Sequence, residues 1–119
     1  MPTRSLSSSV LKWPDRETVL KAALVWAQLE APGHPELLRL GVFGSYARGN
    51  WGVGSDLDLI AIVSKATDPF DRRGLAWDVS TLPVPAQIVV YTKDEWDGMR
   101  TEGGRFVRTI DGEAIWLLG

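Results

Sequence analysis

Two acidic residues and a glycine–serine pair are the residues of this sequence best placed to do chemistry. Asp56 and Asp58 are spaced by one residue at the start of an apolar run over residues 57–63. Because side chains alternate along a strand, positions i and i+2 put both carboxylates on the same side. Two like charges so placed either share a proton at a raised pKa or hold a cation between them. A divalent ion with oxygen ligands suits such a pair.

The pair Gly44–Ser45 follows a second apolar run, residues 37–43, and precedes Tyr46-Ala47-Arg48, which can form one helical turn. A strand, a Gly-Ser turn and a helix start present backbone N–H groups and a hydroxyl, and this is how many chains bind phosphate. The sequence therefore predicts a nucleotide site in which a phosphate cradle lies beside a carboxylate pair. Taken separately, each half has a simpler interpretation, namely a capped tight turn and a solvated strand end.

The spacing between the two halves resembles a known family, the minimal nucleotidyltransferases of the DNA polymerase beta superfamily. The motif of that family is Gly-Ser, ten residues, then Asp-x-Asp, and residues 44–58 match it without a gap. Arg48, Gly49 and Ser55 also fit its commoner form. The resemblance is specific over these fifteen positions and extends more loosely to most of the chain after Leu37.

The resemblance implies that the chain binds a magnesium–nucleoside triphosphate, with ATP as the expected nucleotide, and transfers a nucleotidyl group to an acceptor. The implied site consists of two catalytic magnesium ligands, Asp56 and Asp58, and four nucleotide-binding residues, Gly44, Ser45, Arg48 and Ser55. Similar small proteins are the antitoxin half of two-component systems whose partner is an all-helical HEPN-domain protein. The resemblance therefore also implies a HEPN-domain partner, which the chain either modifies or masks.

The chain departs from the family at Gln87. The resemblance places a third carboxylate there, on the strand over residues 86–91, to complete the metal site and deprotonate the attacking hydroxyl. A Gln oxygen can bind magnesium, but it carries no charge and accepts no proton at neutral pH. Two hypotheses stay open. The chain is an active transferase whose base is Asp68, Asp78 or a partner's carboxylate, or it is an impaired module that binds nucleotide or masks a partner.

Other residues of the motif also allow two interpretations. Arg48 lies three residues after Ser45 and can reach either a phosphate or Asp56. Ser55 can bind nucleotide or orient the neighbouring carboxylate through a local hydrogen bond. Asn50 and Trp51 can contact a base or an acceptor, or Trp51 can be a contact for a partner protein or a lid that packs down.

Composition sets bounds on the class of protein. The chain has 119 residues, of which 45% are hydrophobic and 24% charged, and its net charge is −2. These values predict one soluble domain with no general attraction to duplex DNA or an anionic membrane. The absence of cysteine excludes thiolate zinc sites, and no apolar run is long enough for a signal peptide or membrane span, so we expect a cytoplasmic protein. Because no acceptor-binding domain is evident, aminoglycoside transfer is disfavoured. Self-assembly into a homo-oligomer is left open.

The pattern of the chain predicts an α+β fold of the α/β type. We expect a loose tail over residues 1–12 and a single domain over residues 13–119, with a small mixed four-stranded sheet and helices mainly on one face, as in a polymerase-beta-like core. The predicted helices begin near Trp13, at residue 70 (to residue 80) and at the capping box Thr92–Glu95. The third helix should break near Gly103–Gly104, and Asp111–Gly112 should form a turn before a last strand over residues 114–118.

Overall fold

A computed structural model describes residues 13–119, so the tail predicted for residues 1–12 lies outside the described residues. Within residues 13–119, the four strands are β1 (Leu37–Phe43), β2 (Leu57–Val63), β3 (Ala86–Thr92) and β4 (Ile115–Leu118). The α-helices of the described part of the chain are α1 (Arg16–Glu30), α2 (Ser45–Arg48), α3 (Lys93–Glu102) and α4 (Arg105–Glu113), and 3₁₀ turns cover Ala31–Gly33 and Phe70–Ala76. That the described residues form a single domain stays a prediction.

The strands form one mixed sheet in the order β3-β2-β1-β4. Strand β1 is antiparallel to both β2 and β4, whereas β2 and β3 are parallel. A parallel pair needs a long crossover, and the chain supplies it between β2 and β3 with the 3₁₀ turn of residues 70–76. The predicted α+β fold with a mixed four-stranded sheet is confirmed.

Both faces of the sheet are covered, which corrects the expectation that the helices lie mainly on one face. Leu57, Leu59, Ala61 and Val63 of β2 pack in one cluster with residues of α1. Ile60 and Ile62 face the other way and join a second cluster with residues of α3 and α4. Because β2 is apolar on both faces, each face needs a cover, and the helices are therefore divided between the two faces.

Local signals explain where two of the helices begin. The Asp15 carboxylate accepts a hydrogen bond from the Thr18 N–H at 2.8 Å and caps α1. The predicted capping box at the start of α3 is present, with Thr92 and Glu95 exchanging hydrogen bonds with backbone N–H groups. Helix α3 ends where predicted, because Gly103 has a left-handed φ of 70°.

Two predictions of local structure are wrong. The segment predicted as a helix over residues 70–80 is a 3₁₀ turn that ends at Ala76, and its Gly74 packs so closely on the Ile88 carbonyl oxygen that a Cβ there would lie 3.0 Å from it. The turn predicted at Asp111–Gly112 is helical, since α4 continues through both residues to Glu113. In each case the packing of the segment on the sheet outweighs the local preference of its residues.

Arg73 links the crossover between β2 and β3 to the end of the sheet at which both strands end. Arg73 donates to the carbonyl oxygens of Asp68 at 3.0 Å and Val90 at 3.2 Å, and to both carboxylate oxygens of Glu95 at 2.7 and 3.2 Å. The hydrogen bonds from Arg73, together with those from Thr92, lower the pKa of Glu95 to about 2. This network lies at the opposite end of β2 from Asp58 and stabilises structure there.

Within residues 13–119, no helix combines the length and the apolar composition that crossing a membrane requires.

Candidate active site

The turn between β1 and α2 is built around Gly44. Its backbone has φ 78° and ψ −152°, a conformation that only glycine adopts without strain. A Cβ at this position would collide with the Asp58 carboxylate, whose Cγ would lie 3.2 Å away. The glycine therefore allows the turn to lie directly against Asp58, and the structure brings the two halves of the motif together.

Asp56 and Asp58 are close enough to influence each other. Asp58 is the second residue of β2 and pairs with Phe43 at the end of β1, while Asp56 is exposed just before the strand. Burial raises the pKa of Asp58, the charge of Asp56 raises it further, and the charge of Arg48 opposes both effects. A cation bound beside a half-buried carboxylate and a second acid would relieve the repulsion between the two acids.

Helix α2 is a single turn that starts at Ser45. The N–H groups of Arg48 and Gly49 donate to the carbonyl oxygens of Gly44 and Ser45 at 3.0 and 2.9 Å. The N–H groups of the first three residues of such a turn have no carbonyl partner within it. Together with the Ser45 hydroxyl, they form the donor set that the sequence predicted for a phosphate.

Arg48 makes an ion pair that the sequence did not predict, and phosphate binding by Arg48 stays a prediction. Its Nη1 donates to Glu113 Oε2 at 3.1 Å, and the Gly44 N–H donates to the same oxygen at 3.1 Å. Sequence reasoning missed Glu113, which lies 69 residues after Gly44 and ends α4. The available signal was local: an acid in the last turn of a helix faces the negative end of the helix dipole.

Ser55 has a structural contact in addition to its predicted role. Its Oγ accepts the Gly52 N–H at 2.8 Å, and its own N–H donates to the Gly52 carbonyl at 2.9 Å. These bonds close the glycine-rich loop just before Asp56. The local bond that we expected between Ser55 and the Asp56 carboxylate is therefore replaced by one that fixes the loop. Nucleotide binding by Ser55 stays a prediction.

Trp51 packs down against the core. Its ring stacks on Tyr46, with centroids 5.8 Å apart and planes 9° from parallel. The Tyr46 hydroxyl accepts a hydrogen bond from Trp13 Nε1 at 2.9 Å, so the aromatic stack is anchored beneath α1. This packing is the arrangement expected of a lid, and Val53 is the exposed apolar residue of this loop.

Gln87 lies where the resemblance placed the third carboxylate. It pairs with Asp58 in the parallel register of β2 and β3, and it is exposed. Neighbouring residues of a parallel pair point to the same face, so the amide lies beside the carboxylate. A groove of about 330 Å³ runs past this position along β3, lined among others by Phe70, Leu75, Val79 and Gln87.

Neither substitute base proposed from the sequence reaches this end of the sheet. Asp68 lines a cavity beside Arg73 and Val63, at the far end of β2 from Asp58. Asp78 accepts hydrogen bonds from Ser80, which lower its pKa. Its carbonyl accepts a bond from Trp26 of α1, which places it on the other face of the sheet. Both are therefore excluded as the base for a reaction at Asp58.

The residues around Asp58 can supply part of the coordination of a divalent metal ion, whose other ligands would be substrate oxygens and water. Among the residues described, no three His, Cys, Asp or Glu side chains are grouped to hold a metal. Two carboxylates and a neighbouring amide oxygen remain, namely Asp56, Asp58 and Gln87. Hard oxygen donors of this kind suit magnesium, which usually keeps open positions for phosphate oxygens and water.

We expect Gly44→Ala to weaken triphosphate binding by about tenfold or more, because the new Cβ would displace Asp58 and strain the turn. The strained backbone should also lower the free energy of unfolding by about 1–3 kcal/mol. Gly98→Ala is the matched control, since a Cβ there meets nothing within 4 Å and helix α3 gains stability. Calorimetric titration and thermal unfolding of both variants test this. Wild-type affinity in Gly44→Ala would show that the turn does not bind phosphate.

Comparisons with known proteins agree with this geometry. The family model described as Nucleotidyltransferase domain matches residues 29–116, which include the turn, both acids and Gln87. A structure from Sulfolobus solfataricus, described as a putative nucleotidyltransferase, has a TM-score of 0.56 and 21% sequence identity. The match covers 85% of this chain and 80% of that chain.

A second solved structure, of a toxin–antitoxin with AMP-PNP, has a TM-score of 0.51 and 19% identity, and the match covers 83% of this chain and 72% of that chain. At these identities the two likenesses show the fold alone. No curated protein sequence matches this chain significantly.

Proposed function

We propose, since this chain belongs to the nucleotidyltransferase domain family, that it binds a magnesium–nucleoside triphosphate at the turn and acids described above and transfers the nucleotidyl group to a partner protein. The observation that carries the proposal is the close approach of Gly44 to the Asp58 carboxylate. One triphosphate with its metal ion can then contact the phosphate-binding turn and the acidic pair together. ATP is the proposed nucleotide.

The proposed reaction is an in-line displacement at the α-phosphorus. An acceptor hydroxyl forms a new P–O bond, the bond to the bridging oxygen of the β-phosphate breaks, and pyrophosphate leaves. Magnesium, when bound, would neutralise charge that develops on the attacking and leaving oxygens. Asp56 and Asp58 would hold that ion, and Ser45 with the following amides would orient the phosphates. Arg48 would add positive charge beside them.

The mechanism also requires a group that accepts the proton of the acceptor hydroxyl. Gln87 lies beside Asp58 on the same face but cannot accept a proton at neutral pH. Asp56 and Asp58 would be engaged by the metal ion, so a carboxylate from the partner must then take it. The second candidate function follows from the same observation: Gln87 marks an impaired module that binds nucleotide or masks a partner.

A partner protein is proposed from two sources. One structural neighbour is a toxin–antitoxin with AMP-PNP, and AMP-PNP is an adenine nucleotide analogue. The resemblance of the sequence motif points to an all-helical HEPN-domain protein as that partner. The groove along β3 is open beside Gln87 and carries exposed apolar residues, including Phe70 and Leu75, so an acceptor segment can approach from that side. Cytoplasmic location and any self-assembly stay predictions.

The test is transfer of label from ATP. The purified chain is incubated with magnesium and with ATP labelled at the α- or the γ-phosphate, with and without the protein encoded by the adjacent reading frame. Nucleotidyl transfer predicts that the α-label, but not the γ-label, is attached to the partner, and that Asp58→Ala abolishes attachment. A tight complex that gains no label would support the masking module. Attachment of the γ-label would mean phosphoryl transfer and contradict the proposal.

A further inference from the structure

We propose that Glu113 is a positioning residue of the active site, which holds the Arg48 guanidinium and the Gly44 turn in place for the triphosphate. This inference rests on the proposed function, because it assigns a task within nucleotide binding. Glu113 lies outside the sequence motif that identifies the family. Its role follows from contacts that link the end of α4 to the turn after β1.

A single oxygen of Glu113 makes both contacts. Oε2 accepts the Gly44 N–H and an Arg48 N–H, each at 3.1 Å, so the guanidinium is held beside the turn. Arg48 keeps its remaining donors available, since a guanidinium carries five N–H groups in a rigid fork. A phosphate can therefore be bound by Arg48 without displacing Glu113.

The fold fixes the Glu113 carboxylate at this place. Strand β4 begins two residues after Glu113 and pairs with β1, with Ile115 opposite Val42. This register brings the end of α4 to the end of β1, where the turn begins. The Glu113 side chain is 18% exposed, whereas that of Arg48 is 46% exposed. The less exposed anion is thus the fixed member of the pair, and it limits the positions that the more exposed cation can occupy.

The sequence of α4 gives an independent reason to assign a function to Glu113. The last turn of a helix favours basic residues, and α4 has none there. An acid at that end, largely removed from water, is locally unfavourable unless partners stabilise it. Its partners here are the two groups that the nucleotide site needs in fixed positions. Local rules are broken most often at functional sites, and Glu113 fits that pattern.

Glu113 is not a substitute for the missing third carboxylate. It does not join Asp56 and Asp58 in any group that could hold a metal, judged over residues 13–119. Its oxygen is already engaged by two donors. Glu113 therefore acts through Arg48 and Gly44 rather than on the metal ion or the reacting atoms.

The experiment measures affinity for magnesium–ATP by calorimetry in the wild-type chain, Glu113→Ala, Glu113→Gln, Arg48→Ala and the double variant Arg48→Ala/Glu113→Ala. We expect the dissociation constant to rise about tenfold in Glu113→Ala and about threefold in Glu113→Gln, which keeps a neutral acceptor for both donors. In the Arg48→Ala background, Glu113→Ala should raise the dissociation constant by less than about threefold, because the guanidinium that Glu113 holds is already absent.

Glu95→Ala is the matched control. It also removes a carboxylate paired with an arginine, but at the far end of the sheet, so it should lower the melting temperature and leave the affinity unchanged. If the wild-type chain binds magnesium–ATP and both Glu113 variants bind equally well or more tightly, the positioning role is wrong. A full tenfold loss in the Arg48→Ala background would show that Glu113 does not act through Arg48, and that result would also overturn the proposal. Absence of binding by the wild-type chain would overturn the proposed function together with this inference.

Discussion

Asp58→Asn is expected to reduce nucleotidyl transfer by at least about 10³-fold while making the protein more stable at neutral pH. The loss follows from the position of Asp58, which contacts the Gly44 turn and lies beside Asp56. The gain in stability follows from the surroundings of Asp58, because a half-buried charge next to a like charge destabilises the native state. We expect an increase of about 0.5–1 kcal/mol in the free energy of unfolding.

The gain in stability should depend on pH in a defined direction. The pKa of Asp58 is raised above its ordinary value of 3.8 in the folded chain, first by burial and then by Asp56. The native state therefore holds this proton more tightly than the unfolded state, and the group contributes stability below pH 3.8 that is lost as the pH rises through the raised pKa. Asp58→Asn removes this loss of stability. The variant should therefore be more stable than the wild type at pH values above the raised pKa of Asp58, and the difference should disappear in acid.

The affinity of the wild-type chain for magnesium should change with pH in the opposite direction to its stability. A protonated Asp58 cannot ligate magnesium well, so affinity should rise with pH through the same window. The measurements are chemical denaturation and magnesium titration across pH, with Asp94→Asn as the control, because Asp94 is exposed at the start of α3. An Asp58→Asn protein that is less stable than the wild type at neutral pH, or that keeps its activity, would contradict the account.

Gln87→Asp is expected to raise the transfer rate by about 10–100-fold, which is part of what a general base typically contributes. Gln87 pairs with Asp58 on the neighbouring strand and is exposed, so a carboxylate there would join the two acids at one metal site. Affinity for magnesium should rise as well. A third negative charge should raise the pKa of Asp58 further and lower stability in the absence of metal.

Gln87→Glu and Gln87→Ala are the matched controls for this gain. The longer Glu side chain should restore less activity than Asp, and Ala should lower metal affinity below that of the natural Gln if the amide oxygen is a ligand. Single-turnover rates and magnesium titrations separate the two effects. If Gln87→Asp changes neither the rate nor the affinity, then the third carboxylate of the family does not belong at this position.

Much of the fold follows from local patterns in the sequence. The strands could be predicted because each apolar run is bounded by glycine, proline or acidic residues, and helix α3 because Thr92 and Glu95 form a complete capping box. The motif also identified Gly44 and Asp58, which the fold brings into contact. Gly44 and Asp58 come close because the turn after β1 is short and contains a glycine, and both features are visible in the sequence. The functional roles of the two residues stay predictions.

The features that could not be predicted depend on tertiary contacts. Helix α4 runs through Gly112 because Val107 and Ile110 are buried under the sheet, which outweighs the turn preference of Asp111–Gly112. The contact of Glu113 with Gly44 arises from the pairing of β4 with β1 across more than half of the chain. No spacing rule connects residues so far apart. The division of helices between the two faces likewise depends on tertiary packing, since β2 contributes residues to a cluster on each face.

A crystal structure with manganese and a non-hydrolysable ATP analogue would test the proposed site directly, because anomalous scattering locates the metal ion. We expect a manganese peak between the Asp56 and Asp58 carboxylates, with the β- and γ-phosphates against Gly44, Ser45 and the Arg48 guanidinium. Manganese bound elsewhere, or a nucleotide that leaves the turn after β1 empty, would contradict the proposed site.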